Sequence, residues 1–76
     1  MAEIKYFGSL RTLCGRNEDS LAAENLTELL EVIKRQYGKE AKKAAKSALI
    51  VVDREKVLSI RKTALHENSK VDFYPA

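Results

Sequence analysis

The stretch "ENLTELLEVIKRQYGK" constrains this chain more than any other. Leu26, Leu29, Leu30, Ile33 and Tyr37 fall at i, i+3, i+4, i+7 and i+11, which is one face of an α-helix. Asn25 or Thr27 is placed to cap its start, and Glu28 and Glu31 suit the positive end of the helix dipole. Lys34 and Arg35 suit the other end, and Gly38 is a natural residue to close it. A helix that is apolar on one face only needs a sheet to lie on.

The segments around the helix supply one. "EIKYFG" alternates Ile4 and Tyr6 with Glu3 and Lys5, the period of a half-buried strand. "RTLCGRNED" reads as turn, with Gly15 and Asn17 able to take positive φ, and "SLAA" as a short second strand in a hairpin with the first. After the helix, "KEAKKAAKSA" predicts a short, mostly exposed helical turn, and "ALIVVD" a central strand buried on both sides. "DRE" turns the chain, "KVLSI" predicts a further strand or a bulged extension, and Asn68-Ser69 a turn. In the last strand, "KVDFYP", Val71 and Phe73 alternate with Asp72 and Tyr74. This order is α+β: a mixed sheet of four to five strands on one main helix, with the first and last strands parallel and adjacent.

With 76 residues the chain makes one domain, residues 1–76, near the lower size limit for folding on packing alone. The single cysteine, Cys14, excludes an internal disulfide, and Cys14 with His66 cannot furnish the roughly four ligands of a conventional zinc site. No apolar run approaches the roughly 20 residues that span a bilayer, and "MAEIKYF" lacks the pattern of a secretory signal. A reduced, cytoplasmic setting is expected. There is no nucleophile–base pair, no Gly-rich phosphate loop and no cofactor motif, so catalysis is expected to lie in a partner.

Charge is concentrated. "KEAKKAAK" carries four lysines and one glutamate, equal to the whole net charge of +3. Lys39, Lys42, Lys43 and Lys46 form a solvated helix face that can also serve as a basic docking face for an acidic partner. Nucleic acid is disfavoured as a partner, because no aromatic residues interleave the lysines as stacking platforms.

Taken together, "YFGSLRTLCG", "LTELLEVIKRQYG", "LIVVDRE" and "TALHENSKVDFYP" resemble, in order and spacing, the MoaD/ThiS group of ubiquitin-like sulfur carriers, and most of all its MoaD-like branch. The resemblance covers nearly the whole chain and implies a β-grasp fold. It departs at Asn68-Ser69, where the family carries Gly-Asp, and in a slightly longer loop before Thr63. Carriers of this group continue past the proline to a flexible tail ending Gly-Gly, whereas this sequence reads Tyr74-Pro75-Ala76. The resemblance thus implies a carrier body without the reactive arm.

In the carriers, the terminal carboxylate is adenylated by an ATP-dependent partner and converted to a thiocarboxylate. Phe7, Arg11 and Tyr74 match positions of the family's partner-facing surface, and together with Phe73 and Pro75 they are expected to dock an adenylating enzyme or the large subunit of a molybdopterin-type cofactor synthase. No residue is assigned a covalent or metal-binding role. The alternative is a β-grasp interaction module without sulfur chemistry. Cys14 is more readily explained as a small buried side chain than as a persulfide carrier.

Overall fold

A computed structural model of the chain describes residues 1–75. Its strands are β1 (Ala2–Tyr6), β2 (Glu18–Leu21), β3 (Leu49–Val52), β4 (Glu55–Lys56) and β5 (Lys70–Tyr74). Its helices are α1 (Ser9–Cys14), α2 (Leu26–Tyr37) and α3 (Lys39–Ser47), with a 3-10 turn at Ile60–Lys62. The five strands form one sheet in the order β2-β1-β5-β3-β4. β1 and β5 run parallel at its centre, with Ile4 opposite Val71 and Tyr6 opposite Phe73, and the other neighbours are antiparallel.

Alternation then sorts the side chains. Ile4, Tyr6, Ile50, Val71 and Phe73 are buried in one core with Leu26, Leu29, Leu30 and Ile33 of α2. Asn25 caps α2, its Oδ1 accepting the Glu28 N–H at 2.8 Å. Gly38, at φ 100°, closes α2 and opens α3, a backbone angle that glycine adopts without steric cost. Because Ala41 and Ala45 are small, α3 can lie close against the core, and both are fully buried.

Four local expectations are corrected. Ser9–Cys14 is a helix rather than a turn: Leu10 and Cys14, four residues apart, bury one face, and Gly15 closes it with its N–H on the Arg11 carbonyl at 2.9 Å. α3 is a nine-residue helix rather than a short exposed turn. β3 is not buried on both sides, because among the described residues no helix covers the outer face of the sheet, and Leu49 stays 46% exposed. Finally, only the first residue of "KVLSI", Lys56, belongs to a strand. β4 stops at Lys56, Val57 donates one last N–H to the Ile50 carbonyl at 2.8 Å, and Leu58 stands 92% exposed. The second strand lies where a hairpin requires, although it begins at Glu18 rather than Ser20.

Turns lock the sheet edges. Asp53 and Arg54, at φ 49° and 71°, form the two-residue connection between β3 and β4, where positive φ at both positions matches the strand twist. The Asp53 carboxylate accepts the Lys70 N–H at 2.9 Å and the Ser69 hydroxyl at 3.0 Å. Ser69 is thereby satisfied although it is almost fully buried.

Candidate functional site

The outer face of the sheet gathers the expected site at the end of β5. Strand alternation turns Tyr74 outward, and Phe7 extends β1 by one residue, its N–H donating to the Phe73 carbonyl at 3.2 Å. The two rings stack with centroids 4.4 Å apart and planes at 14°. Arg11, from α1, anchors its Nε on the Tyr6 carbonyl at 2.9 Å and holds its guanidinium carbon 5.1 Å from the Phe7 centroid. This is cation–π distance. A phenyl–phenol stack with a fixed cation beside it is a rigid, amphipathic surface of the kind that anchors protein contacts.

Gly8 seats the residue that follows the pair. Its φ of 55° with ψ −135° is strained for any residue bearing a Cβ, and a Cβ there would come within 3.3 Å of Pro75 Cγ. Gly8→Ala is therefore expected to destabilise the fold by about 1–3 kcal/mol and to displace Pro75. A thermal melt combined with amide shifts at Phe7 and Tyr74 checks both effects.

Phe7, Arg11, Tyr74 and Pro75 come together as a surface, but Phe73 does not join them. It is fully buried and stacks on Tyr6 with centroids 6.3 Å apart. Residues 73 and 74 of one strand point to opposite faces, so Phe73 supports the surface from behind. Of the lysines, Lys39, Lys43 and Lys46 are exposed along α3, whereas Lys42 pairs with Glu31 of α2. That ammonium holds the Glu31 carboxyl below the usual range. Ala76 and its carboxylate lie outside the described residues.

Two apolar residues that the sequence reading missed extend the surface. Leu49 is the cross-strand partner of Tyr74, so the two share the outer face, and Leu58 follows β4 with almost no cover. The continuous apolar run "LIVV" does not show which of its faces turns outward, so Leu49 is placed only by its pairing with Tyr74. Nothing local distinguishes Leu58 from a strand residue.

Beneath the aromatic end lies a polar cluster. Asp19, with its side chain only 7% exposed, accepts the Tyr6 hydroxyl at 3.2 Å and the Tyr37 hydroxyl on the same oxygen. Its other oxygen takes the Arg16 guanidinium at 3.0 Å. Burial, reinforced by the Asp19 charge, pushes the Cys14 thiol up to about 11. At neutral pH the thiolate is accordingly scarce, and Cys14 is expected to react with iodoacetamide at least about a hundredfold more slowly in the native protein than in urea. Mass spectrometry of timed samples gives both rates.

Among the described residues, no group of three or more His, Cys, Asp and Glu side chains is placed to hold a metal ion. A concavity of about 830 Å³ over β1, β2 and the start of β5 is lined by charges of both signs, including Glu3, Lys5, Arg16 and Asp72. Neither Phe7 nor Tyr74 lines it, and the hydroxyl among its lining residues, Ser20, donates to the Glu3 carboxylate at 3.0 Å. Among the described residues, no helix is long and apolar enough to cross a membrane.

No family model matches the chain, nor does any curated protein sequence. Solved structures do. The small archaeal modifier protein 1 of Methanosarcina acetivorans aligns with a TM-score of 0.83 at 18% identity, over 97% of this chain and 90% of that one. A putative molybdopterin converting factor subunit 1 from Pyrococcus furiosus aligns at 0.72 and 25% identity, over 97% and 94%. The chain has the ubiquitin-like β-grasp fold. A third neighbour of this β-grasp chain comes from the complex of subunits 1 and 2 of the molybdopterin-converting factor of Helicobacter pylori, at 0.73 and 18% identity, over 99% and 92%. The β-grasp chain thus spans nearly the full length of each neighbour.

Proposed function

We propose that this β-grasp chain is the body of a sulfur carrier of the MoaD/ThiS kind, which seats its aromatic end on a protein partner that performs the chemistry. The observation that carries this reading is the Phe7–Tyr74 stack, with Tyr74 exposed and Phe7 half-buried, set beside Pro75 where the last strand leaves the sheet. Its neighbours support it: two are molybdopterin-converting factor proteins, and one of these comes from a complex of two subunits. The body contributes position. Phe7, Tyr74 and Leu49 bury apolar surface against the partner, and Arg11 fixes the orientation of the stack. Activation of a terminal carboxylate and its conversion to a thiocarboxylate belong to an ATP-dependent adenylating partner. Delivery of the sulfur belongs to a synthase large subunit of the molybdopterin type. The chain itself is not an enzyme in this scheme, and its free Cys14 suits the reducing cytoplasm in which we place it.

The test uses the full natural gene product with ATP, a sulfur donor and the adenylating enzyme of the same organism. A mass gain of one sulfur in exchange for one oxygen at the C-terminus is expected. Tyr74→Ala is expected to weaken binding to that enzyme by roughly thirtyfold, the effect of losing an interface hot spot, without unfolding the chain. Binding that depends on Tyr74 with no mass change would assign the surface to an interaction module without sulfur chemistry. Binding indifferent to Tyr74 would remove the docking surface.

A further inference from the structure

Resting on the docking face proposed above, we infer the chemistry of the partner: its contact segment carries apolar side chains flanked by carboxylates. The place it fits is a groove of about 410 Å³ where the chain leaves β4. Leu49, Leu58 and Ile60 give it an aliphatic floor, and three cations from three different elements rim it: Lys46 at the end of α3, Lys56 of β4 and Arg61 of the 3-10 turn. Among the described residues no carboxylate lines the groove, and none of these cations has a salt-bridge partner.

Each part of the groove narrows the occupant. Leu58, at 92% exposure, presents its apolar surface to solvent, so the groove calls for apolar atoms from outside. The rim calls for anions, but its three cations come from separate elements and surround an aliphatic floor, which suits distributed carboxylates better than one phosphate. Three cations make a short track for a nucleic-acid backbone, and the aliphatic floor has no ring on which a base would stack. Continuity favours a protein over a lipid surface, because Leu49 belongs both to the groove and to the strip it shares with Tyr74. Behind the rim, Lys39 and Lys43 continue the line of Lys46 at helical spacing along α3, so the positive field reaches beyond the groove and accelerates the approach of an acidic partner.

The probe is an acetylated, amidated octapeptide, Glu-Asp-Val-Ile-Val-Leu-Glu-Asp, titrated into the ¹⁵N-labelled full chain. A twin with lysine at every acidic position is the control. The acidic peptide is expected to shift the amides of Leu49, Leu58 and Ile60 and to bind roughly tenfold tighter than its lysine twin. The triple variant Lys46→Glu, Lys56→Glu, Arg61→Glu is expected to keep the native spectrum elsewhere and to reverse that preference. Leu58→Ala is expected to weaken both peptides. Equal affinity for the two peptides overturns the inference, as does an absence of shifts at the groove. Tighter binding of oligo-dT or of phosphatidylserine vesicles to the same residues overturns it in favour of those partners. Tyr74→Ala lies outside the groove and separates the two readings: a groove that fails with the peptide leaves the Tyr74-dependent docking test standing.

Discussion

Replacing Phe73 by alanine is expected to lower stability by about 3–5 kcal/mol, while Tyr74→Ala, one residue along the same strand, costs about 1 kcal/mol. Phe73 has no exposed surface, sits on the central strand and stacks on Tyr6, so its removal opens a cavity between the sheet and the helices. Tyr74 is 39% exposed and loses only its stack on Phe7. A domain of this size has on the order of 4–11 kcal/mol to lose, so the first variant takes a large share of the total. Its melting temperature should drop by roughly 15–30 °C. Urea titration followed by circular dichroism checks the contrast. Equal losses at the two positions would contradict the inward and outward assignment on which the docking surface depends.

Asp19→Ala is expected to cost about 2–4 kcal/mol, a large effect for a residue at the sheet edge. The substitution leaves two tyrosine hydroxyls and one guanidinium without their shared acceptor. Asp19→Asn keeps one acceptor oxygen and is expected to cost about half as much. The same cluster sets the alkaline limit of the fold. Burial first, and the Asp19 carboxylate second, push Tyr37 up to about 12 and Tyr6 further in the same direction, while burial pushes Cys14 up to about 11. In all three the folded value lies above the unfolded one, so the unfolded chain gives up these protons first. Their contribution to stability is complete below about pH 9 and is lost as pH rises from there toward 12. Stability measured in urea should therefore be level between pH 7 and 9 and fall steeply above pH 10, and a flat profile to pH 12 would contradict the shared-acceptor arrangement.

Much of this architecture was legible because it is periodic. The α2 face and the alternating residues of β1 and β5 follow from backbone geometry, and together they imply a parallel central pair on a helix. What escaped notice depends on non-local packing. α1 has no side-chain cap and only six residues, and it is helical because Leu10 and Cys14 find the core. Ala41 and Ala45 carry so little apolar area that their burial against neighbouring helices leaves a faint signal. β3 reads as a fully buried run, yet the sheet is covered on one side only. In the candidate site, Phe7, Arg11, Tyr74 and Pro75 were found by resemblance, and strand parity then excluded Phe73. Asp19 joins Tyr6 and Tyr37 from three separate elements, a convergence that sequence spacing does not reveal.

The pairing of β1 with β5 also fixes when the fold can form during synthesis. The two central strands are separated by the rest of the described chain, so a nascent chain that has emerged only as far as α3 has no middle to its sheet. Closing that long loop is entropically costly and is offset only when Val71 and Phe73 arrive against Ile4 and Tyr6. At about 5–20 residues per second, α2 thus waits several seconds on the ribosome with its apolar face uncovered. Chaperone occupancy should peak before β5 is free to pair with β1 and end abruptly once it does.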